Sequence, residues 1–100
     1  MKRIDIAKDF ASNIKSDKIK QIILFGSVAR GEDNDESDID ILILTTDEDN
    51  ITDKVYDKVV DVTLNFKELI SLKIISIDEY NTIKNTPFMF NVMKEGITLG

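Results

Sequence analysis

The sequence predicts an α/β fold, a small mixed β-sheet with helices packed against it. Short apolar runs rich in β-branched residues have the length of buried strands: residues 19–25, 38–44 and 69–77. Between and around them lie segments whose apolar residues recur at helical spacing. The chain has 100 residues and is 42% apolar, enough for one domain over 1–100 with a modest core and too apolar for disorder.

In chain order, Ile4, Ala7, Phe10, Ala11 and Ile14 place an amphipathic helix at about residues 4–16. Residues 19–25 form the first strand. Gly26-Ser27 breaks it, and Val28-Ala29-Arg30 begins a short helical turn closed by Gly31. Residues 32–36, Glu-Asp-Asn-Asp-Glu, are an acidic loop read as a solvated turn. The second strand covers 38–44. Ile51, Val55, Val59, Val62 and Phe66 share one helical face, so residues 51–65 are expected as helix despite their β-branched content, with Thr52 or Asp49 as cap. A third strand follows at 69–77. Ser76 and Glu79 match a capping box opening a helix to about Asn85. Thr86-Pro87 reads as cap and first position of a last helix closed by Gly96, with Phe88, Met89, Val92 and Met93 directed inward. Residues 97–99 are left as a short terminal segment.

Composition narrows the chemistry. There is no cysteine, so disulfides and thiolate metal sites are out, and a cytoplasmic setting fits. Without histidine there is no histidine-dependent triad and no zinc site of the usual kind, so any metal must be bound by oxygen. No apolar run approaches the ~20 residues of a membrane span, and Met1-Lys2-Arg3 leads into a charged helix, so no export segment is expected. The net charge of −6 argues against stable nucleic-acid binding, which needs clustered Lys and Arg.

The informative stretch is Gly26-Ser27, ten residues, then Asp38-Ile39-Asp40. Alternation along a strand points Asp38 and Asp40 the same way, about 7 Å apart, with Ile39 toward the core. Two adjacent carboxylates repel, and a divalent cation between them removes the conflict; Mg²⁺ takes one or two carboxylates plus substrate phosphates. The Gly26-Ser27 turn offers backbone N–H groups to an anion. A metal site and a phosphate site would then face each other across neighbouring strands, the layout of a nucleotide-triphosphate enzyme. Taken singly these residues read blandly, as solvated acids at a strand entry and as a plain strand-to-helix turn. Arg30 either pairs with a triphosphate oxygen or braces the acidic loop.

At this point the chain resembles the minimal nucleotidyltransferases of the DNA polymerase β-like superfamily. Their pattern, G-S-x-A-R-G followed by S-D-x-D, stands here as Gly26-Ser27-Val28-Ala29-Arg30-Gly31 and Ser37-Asp38-Ile39-Asp40. Residues 76–80 and 91–96 also look like the tail of this group, so the resemblance covers nearly the whole chain. It implies a nucleotidyltransferase-like fold and transfer of AMP from ATP to a hydroxyl, with Mg²⁺, two ions in such sites, held by Asp38 and Asp40. Gly26, Ser27 and Arg30 would attend the nucleotide. It further implies the antitoxin of a HEPN-type toxin, adenylylating a toxin tyrosine. Two other readings stand beside it: a binding module that neutralises its partner by occlusion, and transfer to a small molecule such as an aminoglycoside. Related enzymes carry a third acid on the next strand. Here the matching position falls near Ser71, and the substitutes are Glu68 at the strand start or Asp61, should 59–62 be strand instead of helix.

Overall fold

The computed structural model describes residues 1–100. The chain opens with α1 (Arg3–Asn13), followed by β1 (Ile19–Phe25), the short α2 (Gly26–Arg30) and β2 (Ile39–Thr45). Then come α3 (Glu48–Phe66), β3 (Ile70–Ser76), α4 (Ile77–Ile83), α5 (Pro87–Glu95) and a two-residue β4 (Ile97–Thr98). The strands form one mixed sheet in the order β3-β2-β1-β4. β2 lies antiparallel to β1 and parallel to β3, and the parallel pair is joined by α3, as a parallel connection requires. This is the mixed α/β architecture that the alternation of strand and helix patterns predicts.

Strand alternation divides the core in two. Ile22, Leu24, Ile39, Ile41 and Ile43 point to one face of the sheet, where Ile6 and Phe10 of α1 and Val55 and Val62 of α3 cover them. Ile23, Leu42, Leu44 and Ile75 point to the other, under Met89 and Val92 of α5, with Tyr80 and Ile83 of α4 at the margin. Ile39 is fully buried, as expected of the residue between two outward acids. Thr45 is the one buried polar residue; its hydroxyl donates to the Lys18 carbonyl (2.6 Å) and accepts from the Asp47 amide (3.0 Å). That exchange ties the exit of β2 to the entrance of β1.

The helix starts follow the sequence signals. The Ser76 hydroxyl accepts from Glu79 N at 3.0 Å, and Thr86 caps α5 by accepting from Met89 N at 3.4 Å with Pro87 at the first position. Elsewhere the structure corrects the reading. α1 ends at Asn13, about a turn before the expected residue 16. α3 begins earlier than expected and its cap position is Asp47; Thr52 instead back-bonds to the Glu48 carbonyl inside the helix. On α5 only Met89 and Val92 are buried, while Phe88 and Met93 are 42% and 41% exposed, because the sheet meets one side of that helix alone. The terminal segment is not a free tail: Ile97 and Thr98 pair with Leu24 and Ile23, adding β4 beside β1. No helix is long and apolar enough to cross a membrane.

Candidate functional site

β1 and β2 are antiparallel, so the end of one meets the start of the other. The register sets Phe25 opposite Asp40, and Asp40 in turn opposite Ser71 of β3. Asp38 lies one residue before β2. Asp40 shares its face with Leu42 and Leu44, so the acid pair stands at the rim of the sheet face that carries α4 and α5.

Gly26 is the next residue after Phe25, and its φ of +74° lies in the left-handed region. A Cβ there would overlap the Asp40 carboxylate, coming within 3.0 Å of its Cγ. Glycine is therefore required twice at this point, by the backbone turn and by the close approach of Asp40. Ser27 follows in the first turn of α2. No side chain caps that turn, which leaves its leading N–H groups to solvent or to an anion. Gly31 closes α2 at φ +72°.

The electrostatics single out Asp40. Burial holds its carboxyl above the usual range, and the charge of Asp38 pushes the same way; a hydrogen bond from Ser71 and the charge of Arg30 oppose them. Neither Asp38 nor Asp40 takes part in an ion pair, although six others tie the chain together. Two hard oxygen donors side by side, one half-buried and neither neutralised, suit a divalent cation of the Mg²⁺ kind. No group of three metal-ligating side chains is assembled anywhere in the chain.

The other expected residues are distributed as follows. Arg30 pairs with Glu32 (3.2 Å) and with Glu95 at the end of α5 (3.3 Å), so it braces the acidic loop while its charge still reaches Asp40. Asp61 lies exposed on α3 and pairs with Lys58 at 3.7 Å, so residues 59–62 are not a strand and Asp61 brings no third acid to the rim. Glu68 is bound by Arg3, whose guanidinium also pairs with Asp33 (3.1 Å) and donates to the Asp35 carbonyl (3.2 Å). The position facing Asp40 therefore holds a serine.

Sequence reasoning missed two features. The Arg3 cluster joins α1, the acidic loop and the entry of β3 through residues 30 and 65 positions apart, which no local pattern signals. It borders a cleft of about 520 Å³ shared with Val28, Gly31 and Phe66. Beside the acid pair, Phe25 meets Phe88 edge to face with ring centroids 5.9 Å apart, and the Lys73 ammonium sits 5.4 Å from the Phe88 centroid. The acid pair itself lies outside the larger clefts, on an open rim.

The chain is similar in sequence and in fold to known proteins. Residues 6–100 match the family described as Polymerase beta, Nucleotidyltransferase. The candidate protein adenylyltransferase MJ0604 of Methanocaldococcus jannaschii is 40% identical over 95 residues, covering 92% of each chain. A second candidate protein adenylyltransferase of that organism, MJ0141, is 34% identical over 100 residues, covering 97% of this chain and 98% of its own. Among solved structures, a toxin–antitoxin with AMP-PNP superposes with a TM-score of 0.61 at 24% identity, over 100% of this chain and 73% of the other. That last likeness is one of fold.

Proposed function

The chain belongs to the polymerase β nucleotidyltransferase family, and from that premise we propose that it transfers AMP from ATP to a tyrosine hydroxyl of a partner protein. We read residues 1–100 as a single catalytic domain working in the cytoplasm, and the partner as a HEPN-domain toxin for which this chain is the antitoxin. The observation that carries the reading is the rim itself, where Asp40 is packed against Gly26, Asp38 stands beside it, and the uncapped turn of Ser27 opens alongside. The two curated relatives, both named for protein adenylylation, favour a protein as acceptor.

Each residue has a part. Asp38 and Asp40 would hold Mg²⁺, two ions in the full site, which supplies positive charge to the triphosphate and makes pyrophosphate a better leaving group. The leading amides of α2 and the Ser27 hydroxyl take the outer phosphates, and Gly26 lets the chain come close enough to do so. Arg30 fixes the acidic loop beside them. The hydroxyl oxygen bonds to the α-phosphorus as the bond to the β-phosphate oxygen breaks, and pyrophosphate departs with the electron pair. The hydroxyl proton goes to water or to a base brought by the partner, because Ser71 offers no carboxylate opposite Asp40.

That serine, with Glu68 held by Arg3, favours one other reading: neutralisation by occlusion, with no chemistry. Incubating the chain and its HEPN partner with Mg²⁺ and ATP labelled on the α-phosphate separates the two. Label on a partner tyrosine, lost in the Asp38→Asn/Asp40→Asn double variant, is the expected result. No label at saturating chain, with the double variant still neutralising the partner, would leave occlusion as the function.

A further inference from the structure

Helix α3 buries Ile51, Val55 and Val62 against the sheet, which satisfies one side of its 19 residues. The opposite side is not the polar surface such a helix normally presents. Tyr56, Val60 and Leu64 follow one another at four-residue spacing and are 47%, 54% and 74% exposed. Among them run Asp49, Asp53, Asp57 and Asp61, again four apart and all exposed. At about 100° per residue, Val60 lies within about 40° of Tyr56, Leu64 and Asp53, so apolar and acidic residues share one outer face.

Both halves of this face are unfavourable in isolation. Like charges four residues apart on a helix repel, and of the four aspartates only Asp61 has an ion-pair partner, Lys58 at 3.7 Å. Three large apolar side chains in a row gain nothing from water. Nothing else in the fold covers them. An occupant that relieves both costs together must be apolar along a seam and positive beside it. Nucleic acid and anionic membrane surfaces fail on charge. A second copy packed about a two-fold axis would oppose this acidic face to itself.

We infer that the outer face of α3 is the docking surface for a basic amphipathic helix of a partner protein. It rests on the proposed function only in taking that partner to be the acceptor. α3 ends at Phe66, four residues before Ile70, and Ile70 pairs with Ile39 between the two acids. A helix laid along Tyr56, Val60 and Leu64 thus reaches the same end of the sheet as Asp38 and Asp40, on the opposite face from them.

The test uses the full chain, isotope-labelled, and a peptide of about five helical turns with leucines four apart flanked by lysines. Controls are the same seam flanked by glutamates and the lysine peptide in scrambled order. Binding by the first peptide alone is expected, with amide shifts confined to the outer face of α3. Leu64→Asp and, separately, Asp57→Lys should each weaken it about ten-fold or more, and Leu64→Asp should leave Mg²⁺–ATP binding unchanged. Equal binding of the scrambled peptide, shifts centred on the acidic loop, or an unaffected Leu64→Asp variant would overturn the inference. So would a dimer of the chain alone that Leu64→Asp dissociates. Failure of wild type to bind Mg²⁺–ATP while the lysine peptide still docks would instead count against nucleotidyl transfer and leave the docking surface standing.

Discussion

Replacing Gly26 by alanine separates two demands that glycine meets at this position. Its φ of +74° charges an alanine about 1–2 kcal/mol for the left-handed backbone. Gly31, at φ +72°, carries the same backbone cost but has open space where a Cβ would stand. Gly31→Ala is therefore the matched control. On the backbone term alone both variants should melt several degrees lower, since ~1 kcal/mol corresponds to roughly 4–8 °C for a chain of this size. Gly26→Ala has a further consequence, because the new methyl must displace the Asp40 carboxylate it overlaps. A catalytic group misplaced by about 1 Å loses on the order of a hundred-fold in rate. Calorimetric titration with Mg²⁺–ATP, beside thermal unfolding and AMP transfer, reads both quantities. The expected result is similar loss of stability in the two variants, with nucleotide binding weakened at least about ten-fold, a change of about 1.4 kcal/mol, in Gly26→Ala alone. Equal nucleotide affinity in Gly26→Ala and Gly31→Ala would refute the placement of Asp40 at the site.

Asp40→Asn should raise the melting temperature at neutral pH while abolishing stabilisation by Mg²⁺–ATP. The folded state holds this carboxyl above its unfolded value, so the ionised form costs stability, and that cost disappears as pH falls through the raised value. The advantage of the asparagine variant should shrink to nothing below about pH 4, where the unfolded carboxyl is also protonated, and a lower melting temperature at pH 7 would contradict the reasoning. Met89→Ala removes a fully buried side chain from the smaller core and should cost about 2–5 kcal/mol in urea unfolding, against under ~0.5 kcal/mol for Phe90→Ala on the exposed side of the same helix. Ser76→Ala deletes the acceptor for Glu79 N and should cost about 1 kcal/mol, with the difference localised to α4 by hydrogen exchange.

What the sequence revealed was what local chemistry decides. The first strand falls on Ile19–Phe25 as its apolar run indicates, and the caps at Ser76 and Thr86 sit where hydroxyl, spacing and proline put them. α3 is helical in spite of its valines because Ile51, Val55 and Val62 need one common face more than they need strand geometry. The candidate site is legible as a motif for a related reason: a glycine at a turn and two acids at alternate positions are all short-range features. What escaped depends on contacts between distant segments. β4 is two residues long and exists only because β1 offers it an edge. The outward turn of Phe88 and Met93 follows from which side of α5 the sheet reaches. Glu68 reads as a spare acid until Arg3, 65 positions away, is seen to hold it. The collision between a Gly26 Cβ and Asp40 is set by the register of β1 against β2, which spacing alone does not give.

The most direct test uses Mn²⁺ in place of Mg²⁺ with ATP and follows paramagnetic broadening of the backbone amides. Early, selective loss of the Ser27, Ile39 and Ile41 signals at substoichiometric Mn²⁺, absent from the Asp38→Asn/Asp40→Asn variant, is the expected outcome. Broadening centred on residues 32–36, or unchanged by removing the two carboxylates, would show that the acid pair is not the metal site.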